Sequence, residues 1–128
     1  MASLRSHWEA ARAGDLEGEM AIYREDAVCD LPQTGESFAG LEALRALRRY
    51  RPEKPLAMEF LRILGSGNLW VTEFKQTFRE RSVFVVSVME FKGGRVFHET
   101  RWFTPQLLAP AWHTKYPVPG ADGGGKEV

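Results

Sequence analysis

The sequence predicts an α+β fold, with helices first and an antiparallel sheet after them. Three observations carry that expectation. Apolar residues recur at helical spacing through the first half of the chain, and from Leu56 onward the period drops to two. The later apolar runs are joined by short polar or glycine-rich connections, which tie successive strands into an antiparallel meander.

Trp8, Ala11, Leu16, Met20 and Tyr23 lie near helical spacing, interrupted at Gly14-Asp15. A glycine that closes one helix and an aspartate that caps the next are a stop-and-start signal, so helices are expected over about 3–13 and about 15–24. Val28 to Leu31 reads as a short strand, Pro32-Gln33-Thr34-Gly35 as a turn, and Glu36 to Ala39 as a second short strand. Leu41, Leu44, Leu47 and Tyr50 form the stripe of a third helix, which must end before Pro52 and Pro55. Strands follow over about 57–64, 69–79, 83–92 and 95–104, separated by Gly65-Ser66-Gly67-Asn68, by Glu80-Arg81 and by Gly93-Gly94. Pro105, Pro110, Pro117 and Pro119 exclude a further central strand, and Leu107, Leu108, Trp112 and Tyr116 between them read as a segment lying over the surface.

Composition sets the outer limits. Across 128 residues, 17 Lys and Arg balance 17 Asp and Glu, which removes the electrostatic case for nucleic acid or an anionic membrane as a partner. A hydrophobic share of 44% with 27% charged residues is that of an ordinary globular domain. The length fits one domain, expected over 1–117, with a disordered tail over 118–128 that contains Gly123-Gly124-Gly125. Met1 to Ala13 has no apolar run of the secretory type, and the lone Cys29 allows no internal disulfide. Both points lead to the expectation of a cytoplasmic protein. Cys29 itself reads as a small core residue. The three histidines are far apart in sequence, so neither metal nor cofactor is expected.

Several local stretches carry a resemblance. Ala13-Gly14-Asp15-Leu16-Glu17, then Ala21-Ile22-Tyr23-Arg24-Glu25-Asp26-Ala27-Val28, then Leu31-Pro32-Gln33-Thr34-Gly35-Glu36-Ser37-Phe38-Ala39-Gly40 follow one another in order. Ser87-Val88-Met89-Glu90-Phe91, Gly93-Gly94-Arg95-Val96, Glu99-Thr100-Arg101-Trp102-Phe103 and Ala109-Pro110-Ala111-Trp112 complete the set. Together they resemble the SnoaL-like (polyketide cyclase-like) group of the nuclear transport factor 2-like superfamily. The resemblance implies a cone-shaped, cystatin-like fold. In it three N-terminal helices pack on a strongly curved, mainly antiparallel sheet around an internal cavity. It also implies a homodimer through the convex sheet face, where His98, Trp102 and Glu73 would lie.

Fold does not fix reaction, so each chemistry of the superfamily must find its residues here. The isomerase pattern would place its carboxylate base at Leu31, its tyrosine donor at His7 and its acidic donor at Ser87, with Tyr23 matching a supporting tyrosine. A leucine cannot carry a proton, so a typical ketosteroid isomerase is disfavoured. Asp30 is one residue out, and only a β-bulge would turn it inward. The epoxide-hydrolase pattern would place an aspartate near Arg101, where the charge is reversed. The cyclase pattern leaves Glu99 as its acid.

Strand alternation then sets the expected wall. Phe97, Glu99, Arg101 and Phe103 share one face of their strand, and the resemblance implies that this set looks inward, with Trp70, Thr72, Phe74 and Gln76 and with Val83, Val85, Ser87 and Met89. The binding set is therefore Tyr23, Leu31, Trp70, Phe74, Gln76, Ser87, Met89 and Phe103, and the catalytic candidates are Glu99, Arg101 and His7. Such a wall fits a small, partly apolar molecule. Two readings of the Glu99–Arg101 pair stand side by side: Arg101 fixes an oxyanion or carboxylate while Glu99 accepts a proton, or the two form a structural ion pair. His7 is either a titratable group at the cavity floor or an exposed residue of the first helix. Arg45, Arg48, Arg49 and Arg51 with Tyr50 form a basic cluster with two readings, a site that attracts a phosphate or acidic partner and a solvated helix face, of which the second is the expectation. Two functional classes follow, a binding domain and an acid–base enzyme (cyclase, isomerase or dehydratase) using Glu99 with Arg101, His7 or Tyr23.

Overall fold

The computed structural model describes residues 2–51 and 53–115. Helix α1 (Ala2–Ala13) turns Leu4, His7, Trp8 and Ala11 inward, the four positions that share one helical face. Helix α2 (Leu16–Met20) starts where the Asp15 side chain accepts the Gly18 N–H at 3.0 Å. Strands β1 (Tyr23–Leu31) and β2 (Glu36–Ala39) form a hairpin, and helix α3 (Leu41–Arg49) follows. Strands β3 (Ala57–Ser66), β4 (Leu69–Thr77), β5 (Ser82–Lys92) and β6 (Arg95–Pro105) make the meander. A short 3-10 helix, Ala111–Lys115, follows the last strand.

The six strands lie in the order β2-β1-β6-β5-β4-β3, a curved sheet that is antiparallel except where β1 runs parallel to β6. That one parallel pairing explains the main departure from expectation. The second helix stops at Met20, not near residue 24, and the first strand opens at Tyr23, not Val28. Tyr23 pairs with Val96, and the Val96 N–H donates to the Ile22 carbonyl at 2.9 Å. A partner more than seventy residues away thus draws this segment into the sheet, against its local helical spacing.

A second departure has a local cause. Glu90 pairs with His98 while Phe91 pairs with Val96, so β6 carries a bulge at Phe97. Val96 is consequently sealed in the core and Phe97, expected inward, is 37% exposed. Beyond the bulge the alternation resumes, with Glu99 and Arg101 inward. The tail expected over 118–128 lies outside the described residues.

The core joins Leu4, Trp8, Met20, Tyr23, Leu44, Phe74, Val85 and Met89. Trp8 is its hub: its ring centroid lies 4.9 Å from that of Phe74 and 5.7 Å from that of Phe60. Cys29 is a free, buried thiol, and burial pushes its pKa up to about 11. Among the described residues no helix is long and apolar enough to cross a membrane.

Gly65, opposite Trp70 in the β3–β4 hairpin, is held by space as well as by backbone angle. An added Cβ would sit 2.3 Å from the Leu69 carbonyl oxygen and 2.8 Å from the Trp70 Cα. Gly65→Ala is expected to cost about 1–3 kcal/mol in urea unfolding. A change under about 0.5 kcal/mol would contradict this account of the hairpin.

Candidate functional site

Strand register assembles the site. On β6, Glu99, Arg101 and Phe103 face the helices; Ser87 lies across from Arg101 and Val85 across from Phe103. On β4, Thr72 lies across from Ser87, and its hydroxyl accepts the Trp8 indole N–H at 3.0 Å. Helix α3 brings Leu44 and Arg48, one turn apart, onto the same covered face. Helix α2 contributes Glu19.

Glu99 has no exposed surface. It accepts hydrogen bonds from the Tyr23 hydroxyl, from Ser87 Oγ at 2.6 Å and from Arg101 Nε at 2.5 Å. Arg48 Nη2 stands 3.7 Å away, and Arg48 Nε donates to Glu19 at 3.2 Å. Burial on its own would push the carboxyl pKa up. The positive charges of Arg101 and Arg48, with the Ser87 and Tyr23 hydrogen bonds, outweigh that and hold it down to about 2. Glu99 is therefore an anion at any ordinary pH. Burial and the Glu99 charge push the Tyr23 hydroxyl above its usual range, so it remains a donor. Burial would lower the Arg101 guanidinium, but Glu99 more than reverses this, and it remains a cation. The Arg101 guanidinium also lies 5.2 Å from the Trp8 ring centroid.

His7 is buried, its ring 5.6 Å from that of Tyr23, which settles its position against the exposed alternative. Its Nδ1 lies 2.7 Å from the Glu19 carbonyl oxygen, which can only accept, so Nδ1 carries the proton. Nε2 is then a bare, unpartnered lone pair. Burial dominates its pKa and brings it down to about 4, with Arg101 and Arg48 adding to the fall against the pull of Glu99.

The hollow lies beside this cluster. A cavity of about 340 Å³ has apolar walls from Leu31, Leu47, Phe78, Val83 and Phe103. Its polar lining is Gln76, Glu53 and the four arginines Arg48, Arg51, Arg81 and Arg101. Of the expected site residues, Leu31, Gln76, Phe103 and Arg101 stand on this wall. Glu99, His7, Tyr23, Phe74, Ser87 and Met89 do not line it; they form the packed interior behind Arg101. Trp70 sits at the β3–β4 hairpin, donating from Nε1 to the Gly67 carbonyl at 3.0 Å, and does not line it either. The physical reason is the cluster of Trp8, Phe60 and Phe74, whose rings fill the part of the cone that alternation alone leaves hollow.

Arg48 and Arg51 are the residues that sequence reasoning missed. Arg48 was expected in a solvated face, yet it is 8% exposed. The signal was present: Leu41, Leu44 and Arg48 share one helical stripe, which puts an arginine where a core residue is due. Asp30 stays on the far face, tied to Ser37 Oγ at 2.5 Å and to His98 Nε2 at 2.7 Å. Among the described residues, no group of three or more His, Cys, Asp or Glu side chains is placed to hold a metal ion.

The model of the SnoaL-like domain family matches residues 4–99. The chain belongs to this family. Among solved structures, the SnoaL-like chain is similar to an NTF-2 like protein of unknown function from Burkholderia xenovorans LB400. The two share 44% identity over 90% of each chain, with a TM-score of 0.83. It also shares its fold with a putative ketosteroid isomerase from Kribbella flavida DSM 17836, at 20% identity and a TM-score of 0.79 over 94% of this chain and 90% of that one. A steroid delta-isomerase from Pseudomonas aeruginosa superposes with a TM-score of 0.70 at 22% identity, over 81% and 78% of the two chains. No curated protein matches the chain.

Two outcomes are expected of this SnoaL-like site. Glu99→Gln removes the charge that compensates two buried arginines and should cost roughly 3–5 kcal/mol in chemical unfolding at pH 7; a cost under about 1 kcal/mol would show that the pair is solvated. For His7 the folded pKa lies below the unfolded one, 6.5, so its contribution is complete above pH 6.5 and is lost as the pH falls toward 4. The raised pKa of His98 leaves its own contribution fully present below pH 6.5, and that of Glu99 is lost only below pH 4.5. Stability of the parent should fall between pH 6.5 and 4.5, by up to about 1.4 kcal/mol per pH unit, and His7→Gln should flatten that slope. Equal slopes for the two proteins would contradict the buried, neutral His7.

Proposed function

We propose that this SnoaL-like domain binds a small, partly apolar molecule in the cavity between α3 and the concave sheet. One observation carries the reading. The cavity wall combines six apolar residues, Pro55 among them, with guanidinium groups that include Arg48 and Arg101, whereas Glu99 behind them is sealed, ionised and fully engaged. A cavity of this volume falls at the small end of the range for small-molecule sites, roughly 300–1,000 Å³.

The acid–base reading draws less support. A carboxylate with a pKa near 2 is a weak base at neutral pH, and a general base must come within hydrogen-bond reach of its substrate proton. Glu99 meets neither condition while Arg101 stands between it and the hollow. Its role in this reading is to hold Arg101 and Arg48 in place, which makes it a positioning residue. The expected homodimer through the convex face and a cytoplasmic setting remain part of the proposal. The part-exposed Phe97 and Trp102 support the dimer, and the free, buried Cys29 accords with a reducing compartment.

The test is a thermal-shift screen of partly apolar compounds of about ten to fifteen heavy atoms, since a ligand that binds only the folded state raises the melting temperature. Val83→Trp, which fills the cavity from its apolar wall, should abolish any shift while the circular dichroism spectrum is retained. Compounds that shift parent and Val83→Trp alike would refute binding in this cavity. For the dimer, sedimentation equilibrium should return twice the chain mass, and one chain mass at high micromolar concentration would refute it.

A further inference from the structure

Four buried side-chain atoms among the described residues lack a hydrogen-bond partner, and three of them are guanidinium nitrogens of cavity residues: Arg48 Nη2, Arg51 Nε and Arg101 Nη2. Buried donors without partners cost stability unless something satisfies them. The arrangement of charge shows what is missing. Arg81 is paired with Glu53 at 2.9 Å, Arg48 with Glu19 at 3.2 Å and Arg101 with Glu99 at 2.5 Å. Arg51 has no carboxylate among these pairs. His7 is neutral and Tyr23 protonated, so neither alters the count. Four guanidinium groups against three carboxylates leave one positive charge at the cavity; Arg48, Glu19, Arg101 and Glu99 are buried, Arg51 is half-buried and the Arg81–Glu53 pair is exposed.

We propose that the ligand of this cavity is a monoanion, a carboxylate on a compact apolar body, whose anionic end meets the guanidinium groups of Arg51, Arg48 and Arg101 that line the wall. The inference rests on the binding reading above and deepens it. A guanidinium offers paired N–H donors in the geometry a carboxylate accepts, and a charge-assisted bond is about twice as strong as a neutral one. Leu31, Val83 and Phe103 then receive the apolar body. Burial works against the Arg51 charge, and the nearby Arg48 and Arg101 add to that opposition beyond what Glu19 returns. A bound anion relieves all three.

The experiment compares octanoate, 4-phenylbutyrate and 2-naphthoate with their neutral primary amides. Binding is followed by two-dimensional NMR on the full chain at pH 7.5 and 150 mM NaCl. At least one acid should bind about tenfold or more tightly than its amide, with shifts centred on Leu31, Val83 and Phe103. Arg51→Gln, at a half-buried position outside any ion pair described above, should reduce the affinity for the acid about tenfold and that for the amide by clearly less. Arg51→Lys should restore part of the acid's advantage. Equal binding of acid and amide in the cavity would overturn the monoanion and leave the binding reading standing. Acid-induced shifts confined to surface residues, or unaltered by Arg51→Gln, would also overturn it. Silence of acids and amides alike would overturn both readings.

Discussion

An ionised carboxylate with no surface in contact with water must receive its stabilisation from its neighbours, and Glu99 receives it from four parts of the fold at once. Tyr23 comes from β1, Ser87 from β5, Arg101 from β6 and Arg48 from α3. Arg48 extends the network to Glu19 on α2, whose carbonyl in turn orients His7 on α1. Removing Glu99 or Arg101 leaves the other as a buried charge short of its partner, and removing Tyr23 or Ser87 takes a hydrogen bond from Glu99. The helices and the sheet are therefore joined by a polar contact as well as by apolar packing, and that contact sits beside the hollow.

The same arrangement separates two roles that the sequence leaves merged. Glu99 and Arg101 stand two residues apart on one strand face, which admits either an acid–base pair or a binding residue with its support. Geometry divides them: the arginine reaches the cavity wall and the glutamate does not. Chemistry at the wall is then that of guanidinium groups, good at recognising and orienting anions and poor at moving protons. Apolar walls distinguish hydrophobic ligands weakly, so in this reading selectivity comes from the charged end of the cavity.

Much of the architecture is legible in the residues themselves. Gly14-Asp15, the glycines at 65, 67, 93 and 94, and the change of period after Pro55 place the helices and the meander within a few residues of where they stand. Three features escape that reading because their causes are distant or collective. Tyr23 leaves its helical stripe because β6 supplies a parallel partner. Phe97 turns outward because of a bulge that no local pattern announces. Trp8, Phe60 and Phe74 fill the cone jointly, so alternation turns Phe74, Ser87 and Met89 inward as observed and yet assigns them to a wall that they do not form. Arg48 was readable from its place in the Leu41–Leu44 stripe; its charge argued for solvent, and the buried acids Glu19 and Glu99 that reverse that argument come from other elements.

The central claim is that Glu99 is a permanently charged, inaccessible anchor for the arginines of the cavity. The direct measurement is the pH dependence of the Glu99 side-chain carboxyl 13C resonance, assigned by comparison with Glu99→Gln. The account predicts a chemical shift typical of a carboxylate, unchanged from pH 8 down to the onset of acid unfolding. A titration with a midpoint between pH 5 and 7, the signature of a group that gains and loses a proton under working conditions, would contradict it.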